Sequence, residues 1–308
     1  MKSAMLLFLK GIAMGMADAV PGVSGGTIAV ITRVYEKLIF SISAVDATAI
    51  RLLFSGRVNQ LWIRINGTFL ALLAAGVLTG LLISANTVLF LLTNHFELLM
   101  AFFIGLVLAS AWLLKSKFDC RDISNLGSLV IGIIITLLVS VISPNSMQNA
   151  SLFYIFLSGW IAICAMILPG ISGAFVLLIF GVYETLLTAL IEINLLVITV
   201  FGTACIGGLI SFSRIISWVL KHHYEKGYSF LIGMLMGSIY ALWPWKITVN
   251  PQGVENSGET ILQTSNTLPL NYKMVTGNDP LILGVLLSVI AGLTLILVFN
   301  KLFASKAG

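Results

Sequence analysis

Charged residues are scarce in this chain. Of its 308 residues only 17 are Lys or Arg and 12 are Asp or Glu, a share of 9%, whereas soluble domains usually carry about 25%. The hydrophobic share is 58% and the mean hydropathy is +1.05, which is too apolar for a water-soluble surface. Soluble enzymes, disordered proteins and nucleic-acid binders are therefore excluded, and the composition predicts a polytopic membrane protein.

Cysteine is scarce as well. Cys120, Cys164 and Cys205 are odd in number and widely spaced, so they predict neither a disulfide framework nor a metal site. The basic residues are scattered rather than clustered, and the pI near 9.2 therefore does not indicate a nucleic-acid partner. No metal or cofactor is expected.

Uncharged stretches mark the predicted membrane spans, because a helix needs about 20 apolar residues to cross the hydrocarbon core. Six clean stretches lie at about 69–92, 98–114, 126–142, 195–218, 228–243 and 281–299. Two further apolar regions, 4–43 and 152–191, are interrupted by PGVSGG from Pro21 and by PGISG from Pro169. The one long polar insert, 246–279, is predicted to be an extracytoplasmic loop.

The two interrupted regions are copies of each other. At an offset of 148, Gly11–Leu38 aligns with Gly159–Leu186 without a gap, and the similarity continues further on at an offset of 128. The identities include Pro21/Pro169, Ser24/Ser172, Tyr35/Tyr183, Glu36/Glu184 and Gly105/Gly233. The fall of 20 in the offset places an extra stretch around Arg51–Arg64 in the first half. The chain is therefore predicted to be a duplication.

The number of spans predicts that the two halves are inverted. If each interrupted region enters and leaves on one side, three spans follow it and the second half begins on the opposite side. The positive-inside rule supports this arrangement, since 15 of the 17 basic residues then face the cytoplasm and only Lys246 and Lys273 do not. The expected fold is all-α and polytopic, with two inverted repeats (1–145 and 146–308), each a broken or re-entrant helical hairpin followed by three transmembrane helices. Both termini are expected in the cytoplasm.

Paired helix breaks at matching positions of inverted repeats are typical of a transporter's substrate site. The helix that begins after each break presents free N–H groups, which suit an anion. The alternative is that the Gly and Ser residues only permit close helix packing. The residues predicted to bind an anionic group are Ser24, Gly25, Gly26, Thr27, Arg33, Ser172 and Gly173.

Few ionisable residues lie within the apolar regions, and such residues are functional by default. Arg33 and Glu36 share a helix face, so a mutual ion pair is the structural alternative for them. Arg33 has no copy in the second half, whereas Glu36 does, which suits one cationic anchor and two acidic gates. The residues predicted to gate the site, or to couple it to H⁺ or Na⁺, are Asp18, Tyr35, Glu36, Tyr183 and Glu184.

An enzyme interpretation starts from Gly22–Gly26, which satisfies the G-x-S-x-G pattern of a nucleophile elbow and would make Ser24 the nucleophile of an intramembrane hydrolase. That pattern needs a strand–turn–helix context and a base within reach, and the predicted helical spans do not supply the former. A duplicated Ser motif is natural for a symmetric binding site. A transporter is therefore expected rather than an enzyme, with an ion-coupled small-anion transporter or channel as the alternative cargo class.

Three segments resemble the PopT polyprenyl-phosphate transporter family of bacterial membrane proteins. They are KGIAMGMADAVPGVSGGTIAVITRVYEKLI from Lys10, LPGISGAFVLLIFGVYETLL from Leu168 and GMLMGSIYALWPW from Gly233. The resemblance covers nearly the whole chain, and 246–279 is the least similar part. It implies a flippase of the bacterial cytoplasmic membrane that returns undecaprenyl phosphate from the outer to the inner leaflet for cell-envelope and peptidoglycan synthesis. The implied mechanism is alternating access around the two PGxSG motifs and the Tyr-Glu pairs that follow them, with the lipid and the bilayer as partners.

Overall fold

The structure, a computed structural model, describes residues 2–18, 24–142, 150–249 and 263–304. Pro21, Gly22 and Val23 of the first predicted break lie outside these ranges, as do the predicted boundary between the repeats and much of the polar loop. The described chain is helical apart from one pair of short strands. Four described helices are long and apolar enough to cross a membrane, or five if one bent pair counts as a span. The prediction of a helical, multi-pass membrane protein is confirmed.

The first half begins with short helices and ends with long ones. The predicted hairpin region contains α1 (Lys2–Asp18), α2 (Gly25–Ile31) and α3 (Tyr35–Ser43). Two short helices follow, α4 (Ala47–Phe54) and α5 (Val58–Arg64). The three predicted spans are α6 (Gly67–Asn94), α7 (Phe96–Leu114) and α8 (Ile123–Val141), with a 3-10 turn over Lys115–Lys117 after α7.

The second half repeats this order of helices. Its hairpin region contains α9 (Leu152–Ile167), α10 (Gly173–Ile179) and α11 (Tyr183–Ile191), followed by α12 (Leu195–His222), α13 (Tyr224–Ala241) and, at the end, α15 (Ile282–Ala304). Between α13 and α15 lie two antiparallel strands, β1 (Lys246–Val249) and β2 (Gln263–Asn266), and a short helix, α14 (Pro269–Thr276). Among the described residues of the second half the pair α4–α5 has no counterpart, and it occupies the stretch where the alignment offset changes.

The first break turns the chain back along α1. Near the break, the Gly25 N–H donates to the Asp18 carboxylate at 2.6 Å. Further from the break, Lys10 Nζ donates to the carbonyl of Thr32 at 2.8 Å. Residue numbers therefore rise along α2 as they fall along α1, and the two helices form an antiparallel hairpin.

The second break produces the same hairpin. A Cβ on Gly173, just after the break, would lie 3.0 Å from the carbonyl of Ala162 on α9. At the far end, Tyr154 Oη donates to the carbonyl of Phe180 at 3.0 Å. The helix α10 thus returns along α9, and α11 then departs from α10 at an angle of 110°.

Each hairpin packs against a long helix that runs in the same direction as its first helix. Gly11 of α1 lies against the carbonyl of Leu73 of α6, and Gly15 lies against that of Val77. In the second half, Gly159 faces Ala204 and Ile163 faces Gly208. Since α6 and α12 start again from the end where α1 and α9 started, each hairpin region leaves the molecule at the end where it entered.

Glycines also let the two halves cross each other closely. Gly105 of α7 lies against the carbonyl of Val289 of α15, and Gly292 of α15 lies against that of Phe102. The equivalent pair of helices, α13 and α8, crosses in the same way through Gly233 and Gly132. Small residues at such crossings allow the backbones of membrane helices to approach.

Replacing Gly233 with alanine is expected to destabilise the protein by about 1–3 kcal/mol, because overpacking a close contact carries a cost of that order. The new Cβ would collide with the backbone carbonyl of Leu129, which cannot rotate away. Gly127 of α8 is the matched control, since a Cβ there would meet nothing within 4 Å. Thermal unfolding of the purified proteins in detergent measures both changes, and equal melting temperatures for the two variants would contradict the expectation.

Candidate functional site

The two helix breaks contact each other in the protein interior. Ser24 Oγ donates to the carbonyl of Met166 at 3.1 Å, and the Gly170 N–H donates to Thr27 Oγ1 at 2.9 Å. Ser24 and Thr27 are only 1% and 3% exposed. Gly26 packs so closely that a Cβ there would lie 2.8 Å from the carbonyl of Ile167. The two motifs, separated by more than 140 residues in the sequence, therefore form one buried contact between the halves.

The N-terminus of α2 is capped by the protein's own oxygen atoms. The Asp18 carboxylate accepts from the Gly25 N–H, and Ser24 Oγ accepts from the Gly26 N–H at 3.1 Å. An anion that approached these N–H groups in this conformation would compete with a carboxylate already in place. The predicted anion ligands Ser24, Gly25, Gly26 and Thr27 thus hold the hairpin and the inter-repeat contact together here.

The second break is capped differently. Ser172 has an extended backbone at the start of α10, but its side chain makes no capping hydrogen bond. Gly173 is buried against α9. Gly170 has a φ of +87°, and a Cβ there would lie 2.7 Å from the carbonyl of Met234. Only glycine fits this turn, which presses the second motif against α13.

Two cationic side chains lie beside the first hairpin. Arg33 follows α2, is exposed and has a φ of +58°. Lys10 binds the carbonyl of Thr32, next to Arg33 in the chain, and the positive charges of Lys10 and Arg33 act on each other. The sequence predicts Arg33 as an anion ligand; it gives no signal for Lys10 beyond its place in the apolar region. Together the two residues create a local positive potential.

Glu36 takes part in a network that joins three segments. Tyr228 Oη and Tyr224 Oη both donate to Glu36 Oε1, the latter at 3.3 Å. Lys117 Nζ donates to Tyr224 Oη at 2.8 Å and lies 5.5 Å and 5.3 Å from the ring centroids of Tyr224 and Tyr228. The network, called here the tyrosine network (Glu36, Lys117, Tyr224, Tyr228), ties α3 to α13 and to the turn after α7.

Sequence reasoning missed three members of the tyrosine network. Tyr224 and Tyr228 are four residues apart and therefore share a helix face, which is the one local signal available. Lys117 is predicted only as a cytoplasmic charge. Glu36 is predicted as a gate or as an ion-pair partner of Arg33, and the structure gives it two tyrosine donors.

Within the described ranges, Glu184 of the second repeat has no network equivalent to that of Glu36. Glu184 is exposed. The repeat-equivalent positions of Tyr224 and Tyr228 are Phe96 and Met100, which carry no hydroxyl. Tyr183 is half-buried against the apolar cluster of the second hairpin. The predicted gates Glu36 and Glu184 are therefore in different environments.

Tyr35 differs from Tyr183 as well. Its side chain is 3% exposed and packs into the central apolar cluster. Among the described residues, its hydroxyl has no hydrogen-bond partner. Leaving a buried hydroxyl unpaired costs about 1–3 kcal/mol, so this position at the start of α3 is locally unfavourable.

Metal ligation has no support in the ranges that the structure describes. They contain no group of three or more His, Cys, Asp or Glu side chains placed to hold a metal ion.

Comparison with known proteins places these features in context. A family described as undecaprenyl phosphate translocase-like matches residues 14–261. The polyprenyl-phosphate transporter of Vibrio cholerae serotype O1 is 37% identical over 300 residues, which is 97% of this chain and 96% of the relative. The polyprenyl-phosphate transporter of Staphylococcus aureus is 35% identical over 253 residues, covering 77% of this chain and 85% of the relative. No solved structure matches the chain. Both relatives are transporters, in agreement with the prediction of a transporter rather than an enzyme.

Proposed function

The chain belongs to the undecaprenyl phosphate translocase-like family, and we propose that it returns undecaprenyl phosphate from the outer to the inner leaflet of a bacterial cytoplasmic membrane. Beyond this membership, the observation that carries the proposal is the buried contact between the two helix breaks, Ser24 with Met166 and Thr27 with Gly170. Broken backbone at membrane depth is tolerated only inside protein or beside a wet cavity. Opening this contact would create a polar path for a phosphate while the prenyl tail stays in lipid.

The two repeats are proposed to be inverted. Helix α3 contacts the beginning of α6, where Lys37 lies over Phe69, and the end of α12, where Lys221 lies over Phe40. The equivalent helices α6 and α12 therefore start at opposite ends of the molecule. These contacts support two inverted repeats, 1–145 and 146–308. Their movement against each other would give alternating access to the two sides of the membrane.

The end that holds α3 is proposed to face the cytoplasm. Four basic residues lie at this end, in contact with α3, with the turn that follows it or with the tyrosine network: Lys37, Lys117, Arg214 and Lys221. Lys246 lies at the other end, over the Phe96 ring at the start of α7. The positive-inside rule then favours a cytoplasmic N-terminus and C-terminus.

The phosphate is proposed to bind between the cations and the breaks. Lys10 and Arg33 repel each other, and a phosphate between them would relieve that repulsion. The forked guanidinium of Arg33 suits two phosphate oxygens. The polar groups of Ser24, Gly25, Gly26, Thr27, Ser172 and Gly173 would complete the site once the breaks part.

Asp18 is proposed to gate this site. Its carboxylate already accepts a hydrogen bond from the Gly25 N–H, so it competes with a phosphate for that donor. Protonation of Asp18, or a movement of α1, would release it. This links phosphate binding to a coupling ion, H⁺ in the simplest case, with Tyr35, Glu36, Tyr183 and Glu184 as the remaining gating residues.

The function is tested by reconstitution. Purified protein in liposomes should move a fluorescent polyprenyl phosphate between leaflets, and bacteria lacking this and every redundant transporter should accumulate outward-facing undecaprenyl phosphate. Normal lipid distribution in such cells, together with inactive liposomes, would contradict the proposal. Anion flux in liposomes free of polyprenyl lipid would support the small-anion alternative instead.

The hydrolase alternative is tested by covalent labelling of Ser24 and by the transport activity of a Ser24 variant. Ser24 Oγ is engaged by Met166 and Gly26, which is a structural role rather than that of an activated nucleophile. Covalent labelling of Ser24 by a serine-reactive phosphonate would favour the hydrolase, and transport by Ser24→Ala protein would dismiss it.

Replacing Arg33 with alanine is expected to slow transport by about 10-fold or more, because a hydrogen bond to a charged group is worth roughly 1.5–3 kcal/mol. Glu184→Gln should also impair transport if this exposed carboxylate gates the site. Arg121→Ala, which removes an exposed arginine outside the proposed site, is the control. Transport per amount of folded protein is the measurement, and full activity of both Arg33→Ala and Glu184→Gln would remove the charged groups from the proposal.

A further inference from the structure

The helices α4 and α5 carry an exposed apolar face. Ile50, Leu53 and Phe54 share one face of α4, Val58 and Trp62 share one face of α5, and Ile63 is exposed next to Trp62. Phe54 is 86% exposed and Ile63 is 78% exposed, and α5 contains no buried residue. Apart from the contact of Trp62 with the start of α6, this face stays exposed among the described residues. Such a surface on a pair of short helices requires an environment other than water.

The same two helices are basic. They and their flanking residues carry Arg51, Arg57 and Arg64 against a single acid, Asp46. Arg64 Nη2 lies 2.5 Å from Asp46 Oδ2, and this hydrogen bond lowers the pKa of the Asp46 carboxyl below its ordinary value. Asp46 also caps α4 through the Ala49 N–H. The acid is therefore used within the pair, and the stretch keeps a net positive charge.

The pair is fixed at the level where the chain enters the membrane. Its last residue, Arg64, precedes the first residue of the span α6, Gly67, by three positions. The Trp62 ring packs on Gly67, and Trp62 Nε1 donates to Thr68 Oγ1 at 2.9 Å. Asn66, with a φ of +50°, makes the turn between them. The helices are thus held beside the end of a span, where lipid headgroups lie.

We infer that α4–α5 is an interfacial unit that inserts its apolar face into one leaflet and places Arg51 and Arg57 on the phosphates of anionic phospholipids. A basic amphipathic helix binds a membrane surface by burying its apolar face and by attraction to anionic lipid. The net positive charge of the pair complements an anionic bilayer, whereas it gives no reason for a protein partner. The leaflet is the cytoplasmic one if the orientation proposed above holds; the inference does not depend on the transported substrate.

The unit also distinguishes the two repeats. The second repeat joins α11 to α12 through only Glu192, Ile193 and Asn194, so it has no room for such a pair. Anionic phospholipid would therefore bind the first repeat and not the second. The second repeat would stay free to move relative to the first.

The insertion is tested on the full-length protein in nanodiscs. A fluorophore on Phe54→Cys or Val58→Cys, in a variant without the three native cysteines, should be quenched at least threefold more by brominated acyl chains than one on Gln60→Cys. Gln60 is exposed and lies two residues from Val58, on the opposite side of α5. Equal quenching at all three positions would overturn the insertion. Burial of the Phe54→Cys fluorophore only in a cross-linked dimer, or only against a bound protein, would overturn it as well.

The charge interaction is tested in the same nanodiscs. Replacing phosphatidylcholine with phosphatidylglycerol should increase quenching at Phe54→Cys, and the double substitution Arg51→Gln/Arg57→Gln should remove at least half of that increase. An unchanged increase would overturn the role of the arginines. Because no polyprenyl phosphate is present, these results are independent of the proposed transport function.

Discussion

Transport is expected to fall at least 100-fold when Gly170 is replaced with alanine. The φ of +87° at this position costs an L-residue about 1–3 kcal/mol. The new Cβ would also lie 2.7 Å from the carbonyl of Met234 and 3.0 Å from Ser238 Cβ. A shift of Gly170 away from α13 would also displace its N–H from Thr27 Oγ1, so the protein could no longer return to the closed arrangement that alternating access requires.

Gly277→Ala is the matched control for the substitution at Gly170. Gly277 also has a positive φ, +73°, but a Cβ there would meet nothing within 4 Å. It therefore carries the backbone cost without the collision, and transport should stay within about twofold of the parent, since Gly277 ends α14 far from the breaks along the chain. Transport in proteoliposomes, normalised to folded protein, separates the two variants. Comparable activity of Gly170→Ala and the parent protein would show that the contact between the breaks is dispensable.

The positions of the helices and of the breaks could be predicted from the sequence, because proline, glycine and the absence of charge act locally. The PGISG segment ends α9 and starts α10 as expected, and Arg51–Arg64 marks the extra pair of helices. The six predicted spans all coincide with helices in the structure. The inverted orientation stays a prediction that the contacts of α3 support.

The chemistry at the breaks could be predicted only in part. The free N–H groups at the start of α2 indicate an anion site, but the chain's own acceptor, Asp18, reaches Gly25 across the turn, and no local pattern predicts that contact. The pairing of Ser24 with Met166 depends on how the halves pack, and no local pattern encodes that. The tyrosine network could not be predicted from a local pattern either, since its members come from three distant segments.

The tyrosine network makes the two ends of the molecule unequal. Around Glu36 two hydroxyls and a lysine tie the first hairpin region to α13, whereas the equivalent positions near Glu184 are Phe96 and Met100. If the protein alternates between two arrangements of its repeats, this network stabilises the arrangement in which the end holding Glu36 is closed. Breaking it should therefore change the balance between conformations as well as the stability of the protein.

Substitution of Tyr228 by phenylalanine is expected to slow transport about 10-fold or more, because hydrogen bonds to a charged group contribute roughly 1.5–3 kcal/mol and this one secures α3 to α13. Glu36→Gln, which removes the charge and keeps an oxygen acceptor, should have a smaller effect. Both should increase the labelling of Ser41→Cys, a position on α3 that is fully buried, by a membrane-impermeant thiol reagent added from that end to protein without the three native cysteines. Tyr154→Phe, which removes a tyrosine hydrogen bond to a backbone carbonyl in the second hairpin, should leave that labelling unchanged. A lower melting temperature in Tyr228→Phe without any change in labelling would show that the network only stabilises the fold and does not gate it.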